Sequence, residues 1–292
     1  MSFSIVTDTS ANLQSKHIKD NDITVVPFSY YMDGAEAVCL EAEGFDSKNF
    51  YQQMRNNVRV TTSQINPQRY LEHIEPLVKE GKDILFVGMS SGISGAYASS
   101  LIAATQLREE YPDRKIYTVD TLGASLGEGL VVFKAIECRA KGMSIEETAD
   151  YLNRFRHNIC QIFTVDDLKY LQIGGRISNV TAFTGNLLNI KPLLKGNENG
   201  QIVTCGKTRG RKRTIEAILK KYEELSAHHD DMRVGISNAD CIEDAEYLAD
   251  MVNKINPPKE IVIVDHEPVT GSYLGPGALA LYFEGKEGSR LK

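Results

Sequence analysis

The chain has 292 residues, 42% of them hydrophobic and 25% charged, with no tryptophan and a formal net charge of −6. That balance argues against a general binder of nucleic acid or of anionic membranes, because both lean on Lys and Arg. No apolar run approaches the roughly 20 residues that span a bilayer. The length lies above the common single-domain range and predicts two domains.

The first residues, MSFSIVTDTS, read as a strand over 4–7 that ends in Asp8-Thr9-Ser10, with no signal-peptide apolar region before it. A short helix over 14–20 and a second strand over 23–30 follow, then a loop or hairpin without clear period over 33–44. Residues 45–55 read as helix with Asp46 or Ser47 as cap. The polar string VTTSQINP, 60–67, ends in a helix-starting proline, and 68–80 resumes as helix. Residues 84–88, ILFVG, form a short apolar run typical of a buried strand. Helix-compatible sequence begins again near Ser94, with Tyr97, Leu101, Ala104 and Leu107 at three- and four-residue steps. A strand at 115–119 ends in Asp120-Thr121, and helices follow at 127–141 and 144–155, the second opened by a Ser144/Glu147 capping box.

This alternation predicts a doubly wound parallel sheet over residues 1–158. Three strands then deliver Asp8/Thr9/Ser10, Ser90/Ser91/Ser94 and Asp120/Thr121 to one sheet edge, where ligands of open α/β sheets sit. The turn from strand 84–88 into its helix presents backbone N–H groups that attract anions. It reads either as a small-anion pocket or as a Ser-rich cap and turn.

After residue 158 the rhythm changes. A strand at 159–165 leads into DDLKYLQIGGRIS (166–178), whose double glycine presents Arg176 after a turn. A weakly apolar helix over 181–189 is followed by a hairpin, 190–194 and 201–205, around GNENG. Helices at 214–227 and 242–255, strands at 233–237 and 260–264, and an apolar Gly/Pro-containing close at 271–283 complete the chain. The mixed order predicts a smaller two-layer α+β domain over 159–292.

Several constellations carry alternatives. Gly88-Met89-Ser90-Ser91-Gly92 fits the G-x-S-x-G elbow of serine hydrolases, with His266 available as a partner, but no HGGG-type oxyanion loop accompanies it. P-loop and dinucleotide fingerprints are absent, and Gly127-Glu128-Gly129 reads as helix–strand packing. The basic run from Lys207 to Arg213 is a solvated hairpin edge, a phosphate clamp or a docking surface. Arg176 is either an interface salt bridge or a ligand contact. Five scattered cysteines without C-x-x-C predict reduced thiols in a cytoplasmic protein. Six histidines without H-E-x-x-H predict no metal site.

With these residues laid out, the chain resembles the DegV family over about residues 3–283. The resemblance rests on TDTSANL (7–13), TTSQINP (61–67), SSGISGAY (90–97), VDTLGASLGEGL (119–130), DDLKYLQIGGRIS (166–178), IKPLL (190–194), GKTRGRKR (206–213) and GPGALAL (275–281), in that order. It implies two domains with a fatty acid buried in an apolar tunnel between them, no cofactor, and no catalysis by the protein alone. The carboxylate is presented to a separate ATP-dependent fatty acid kinase subunit, with transient membrane contact allowed. Carried over by motif, the carboxylate ligands are Thr62 and Ser94, with Ser63 and Ser91 nearby, while Arg176 and Arg209 serve the phosphate or the partner. One departure stands out. Where the family commonly shows G-T-H-T-G-P-G, this chain has Gly271-Ser-Tyr273-Leu-Gly-Pro-Gly. The Tyr273 phenol can donate to a carboxylate but carries no positive charge near neutral pH.

Overall fold

The computed structural model describes residues 3–176 and 189–291. Residues 177–178 of the GGRIS string and 181–188 of the expected helix lie outside that range.

Four short apolar strands form the expected parallel sheet: β1 (Ser4–Asp8), β2 (Ile23–Val26), β6 (Ile84–Gly88) and β7 (Ile116–Asp120), in the order β2-β1-β6-β7. It is wound on both faces, which is why its strands read as continuous apolar runs. Val6, Ile84 and Phe86 pack under helices Pro67–Lys79 and Ala96–Glu110. Ile5, Leu85, Val87 and Val119 pack against helices Leu126–Ala140 and Ile145–Phe155. The local signals act as expected. Pro67 occupies the first turn of its helix while Asn66 Oδ1 accepts from Arg69 N at 2.8 Å, and both capping-box bonds of Ser144 and Glu147 form.

The single strand read over 23–30 is in fact two. Pro27, lacking an N–H, ends β2, and the chain leaves the parallel sheet. It starts β3 (Ser29–Met32), which pairs with β4 (Ala35–Val38) and β5 (Val60–Ser63) in a small antiparallel sheet. Asp33 and Gly34, at φ 51° and 80°, make the two-residue hairpin turn between β3 and β4. The polar VTTS stretch therefore belongs to a strand, β5, and carries Thr62.

The second half holds a six-stranded mixed sheet, β10-β9-β8-β13-β11-β12. Its strands are β8 (Ile159–Thr164), β9 (Ile190–Gly196), β10 (Ile202–Arg209), β11 (Arg233–Asn238), β12 (Glu260–Asp265) and β13 (Leu279–Glu284). Alternation along β13 sorts the two faces. Leu279, Leu281 and Phe283 pack with helices Arg211–Leu225 and Ile242–Ile255, whereas Ala280 and Tyr282 face the first half and join its core.

Helix Leu126–Ala140 lies between the two sheets. A Cβ on Gly129 would stand 2.7 Å from the Ala11 carbonyl, and one on Gly127 would stand 2.4 Å from Gln161 Oε1 on β8. The glycine pair thus lets one helix touch both halves at backbone distance.

Candidate functional site

The polar ends of β1, β6 and β7 do converge, but much of their chemistry is used in building loops. Asp8 accepts from Ser10 N at 2.9 Å and Met89 N at 3.1 Å. Asp120 accepts from Ser91 N at 3.2 Å, Leu122 N at 3.0 Å and Ser91 Oγ at 2.6 Å. Below them is a buried acid pair. Ser10 Oγ donates to Glu128 Oε2. Thr7 Oγ1 donates to the Val87 carbonyl at 2.7 Å. Glu128 Oε1 shares that proton at 3.1 Å. Burial pushes its pKa well above the carboxylate range, and that of Asp8 up to about 6.

Beyond this edge, between the sheets, lies a cavity of about 290 Å³, near the lower end of the roughly 300–1,000 Å³ of small-molecule sites. Phe28, Met89, Ile93, Leu122, Phe163, Leu171, Ile202, Val269 and Leu274 make its wall predominantly apolar. At its mouth stand Thr62 of β5, Ser94 ahead of helix Ala96–Glu110, and Tyr273 of helix Pro268–Leu274. Thr62 Oγ1 and Tyr273 OH are 2.6 Å apart. Ser94 Oγ accepts from Ala96 N at 3.2 Å, so its proton is left for another acceptor.

Arg176 closes the mouth from the second half. Its guanidinium lies 4.5 Å from the Tyr273 ring centroid, a cation–π distance, and its Nε donates to the Ile93 carbonyl at 3.1 Å. The double glycine explains how it gets there. Gly175 sits at φ 71°, and a Cβ on Gly174 would be 2.2 Å from Tyr273 Cδ1, so only glycine lets this turn press on the tyrosine. On the outer side of Thr62, Tyr273 and Arg176 runs an open groove of about 720 Å³, which Arg59, Lys169 and Ile173 also border. Ile173 is 74% exposed. The same three mouth residues thus face an apolar cavity on one side and a cationic groove on the other.

The remaining expected residues are placed elsewhere. Ser63, the strand neighbour of Thr62, falls outside the residues lining the cavity, as the two-residue period of a strand requires. Ser91 does not line the cavity but borders a polar groove that shares Ser94 and Arg176 with it, its hydroxyl committed to Asp120. Arg209 is an exposed residue at the end of β10, paired with Ile190 and not among the residues lining the cavity or the outer groove. Within the same basic run, Arg211 is structural: it donates to Asp244 Oδ2 and to the Gly277 carbonyl, each at 2.7 Å.

Ser90 does not make an elbow with His266. Its buried hydroxyl donates to the Gly200 carbonyl at 2.9 Å and accepts from Gly92 N at 3.1 Å. His266 instead faces Ser237 Oγ at 3.0 Å and Thr270 Oγ1 at 3.5 Å. The G-x-S-x-G turn is a docking seam for the GNENG hairpin, since a Cβ on Gly92 would stand 2.3 Å from the Asn199 carbonyl.

Sequence reasoning missed a polar inner wall: Ser125, Gln161, His266, Thr270 and Tyr282 also line the cavity. Burial holds the His266 pKa down at about 3, so the ring is neutral, and pushes Tyr282 up to about 12. The one local signal was the TLGAS string after β7, where Leu122 and Ser125 take φ of 55° and 52° against the wall. Among the described residues no group of His, Cys, Asp and Glu could hold a metal ion, and all five cysteines are free thiols.

The family model "Uncharacterised protein, DegV family" matches residues 2–286. A DegV domain-containing protein of Clostridium perfringens is 38% identical over 283 residues, covering 97% of each chain. Among solved structures, a DegV family protein of Thermus thermophilus, described by its fatty acid binding, is 29% identical with a TM-score of 0.88, covering 98% of this chain and 100% of its own. DegV of Bacillus subtilis, described as a fatty acid binding protein, is also 29% identical, with a TM-score of 0.82 and the same coverage.

Proposed function

The chain belongs to the DegV family, and on that premise we propose that it binds a long-chain fatty acid between its parallel and its mixed sheet. The carboxylate sits at Thr62, Ser94 and Tyr273, and the acyl chain runs along the apolar wall. The observation that carries this reading is the pair of hydroxyls 2.6 Å apart on the edge where the apolar cavity meets the outer groove. An ionised carboxylate has only acceptors, so hydroxyl donors beside Arg176 suit it. Each buried CH₂ contributes about 0.8 kcal/mol, so the chain supplies affinity and the mouth supplies orientation.

The protein is then a carrier that presents the carboxylate to a separate ATP-dependent kinase subunit, which forms the acyl phosphate. The groove supports this, because it reaches the mouth from outside and brings Arg59, Lys169 and Arg176 to where phosphate charge would develop. Arg209 lies outside that groove and is the candidate for partner contact. We take residues 1–158 and 159–292 as the two domains, since the parallel strands all precede the boundary and the mixed-sheet strands all follow it. No helix among the described residues is long and apolar enough to cross a membrane.

The test is solvent extraction of the purified protein and mass spectrometry, beside Thr62→Ala/Ser94→Ala. One fatty acid per protein, depleted in the double variant, is the expected result. A wild-type protein that carries none and takes up none when it is added would end the proposal.

A further inference from the structure

The inner wall of the cavity is more polar than an acyl chain requires, and its protons can be followed. Ser125 Oγ donates to Ser237 Oγ at 3.2 Å, and Ser237 Oγ donates to Tyr282 OH at 3.1 Å. With its single proton used, Ser237 must accept the 3.0 Å bond from His266 Nε2. The neutral ring therefore carries its proton on Nε2 and leaves Nδ1 as a bare acceptor. Facing it is Thr270 Oγ1, only 6% exposed. Its contacts, His266 Nδ1 and the Glu267 carbonyl, are both at 3.5 Å, the outer limit for a hydroxyl whose bonds are normally near 2.7–2.8 Å. Both residues line the cavity. A buried donor and a buried acceptor thus stand side by side with their capacity poorly used, which is costly unless something completes them.

From this geometry, and resting on the fatty-acid reading above, we propose that the inner wall is a subsite for a hydroxyl carried on the acyl chain. The ligand hydroxyl donates to His266 Nδ1 and accepts from Thr270 Oγ1, so the natural ligand class is a hydroxy fatty acid. The position of the hydroxyl follows from the helix. Thr270 precedes Tyr273 by one turn of helix Pro268–Leu274, about 4.5 Å at about 1.5 Å per residue, and His266 stands before the Glu267 cap at the far end of that helix, so the subsite lies roughly 5 to 10 Å from Tyr273. An extended chain advancing roughly 1.3 Å per bond covers that in about four to eight bonds. A carboxylate at Tyr273 therefore places a mid-chain carbon at the subsite, neither the carbon next to the carboxylate nor the methyl end.

The experiment is a competition series on the full chain: octadecanoic acid beside its monohydroxy forms with the hydroxyl near the carboxylate, mid-chain or at the methyl end. A mid-chain hydroxy acid that binds about tenfold more tightly than the other positions, as two completed hydrogen bonds would give, is the expected result. Thr270→Val, isosteric but without the hydroxyl, should shrink that preference to within about threefold. Equal or weaker binding of every hydroxy acid relative to the plain acid would overturn the subsite while leaving the carrier reading intact. Failure of all the acids to bind would end both. A preference that survives unchanged in Thr270→Val would also overturn it, since the discrimination would then lie elsewhere.

Discussion

Glu267 ties the titration of a buried group to the helix that carries Tyr273. Its carboxyl caps helix Pro268–Leu274, accepting from Val269 N at 2.6 Å and Thr270 N at 2.7 Å, and the residue is 1% exposed. Burial outweighs these bonds and raises its pKa from 4.5 to about 7. The folded protein therefore holds this proton in a window where the unfolded chain has released it, so the contribution to stability is full below about 4.5 and is lost as pH rises to about 7. Moving this proton's release from 4.5 to about 7 corresponds to about 3 kcal/mol. Glu267→Gln keeps a cap acceptor and removes the titration. Urea unfolding of both proteins across this range should show the variant gaining on the wild type by about 3 kcal/mol as pH rises. The other buried acids, Asp8 and Glu128, titrate in both proteins and drop out of the difference to first order. A pH-independent offset between the two would refute the reasoning.

Three further perturbations probe the mouth and its supports. Tyr273→Phe keeps the ring under Arg176 but removes the hydroxyl facing Thr62; fatty-acid affinity should fall about fivefold by titration, worth about 1 kcal/mol, and Thr62→Val added to it should cost less than it does alone. Gly174→Ala sets a Cβ 2.2 Å from the Tyr273 ring; the turn or the ring must move, so binding should weaken about tenfold in the same assay with a fall of a few degrees in melting temperature. Arg290 is 3% exposed and donates to the carbonyls of Asn197, Ile159 and Leu122, two of which belong to stretches lining the cavity; Arg290→Met should lower stability by about 2–4 kcal/mol in urea and quicken ligand release in a stopped-flow exchange.

Much of the frame was legible because it rests on local physics. Residues 84–88 and 242–255 form a strand and a helix with the expected ends, since apolar runs and periodicity decide them. The mouth was partly legible: Thr62, Ser94, Arg176 and Tyr273 come together, but Ser63 does not, because adjacent strand residues face opposite ways. Two things escaped. The small antiparallel sheet depends on Pro27 turning the chain out of register and on a polar four-residue strand, VTTS, that has no apolar alternation to announce it. The inner wall draws Gln161 from β8, Tyr282 from β13, and His266 and Thr270 from around one short helix. No spacing along the chain shows that residues so far apart meet, or that a buried histidine is neutral.

Helix Leu126–Ala140 bears on how the molecule comes apart. Its glycines meet the Ala11 carbonyl on one side and Gln161 on the other, and a single apolar cluster runs from Phe3 to Tyr282 around it. Separating the two halves would expose that cluster in both at once. Two units by topology that share this cluster should therefore melt together. A ligand held in the seam should raise the transition of both together, so that probes placed on either sheet report the same midpoint and the same shift.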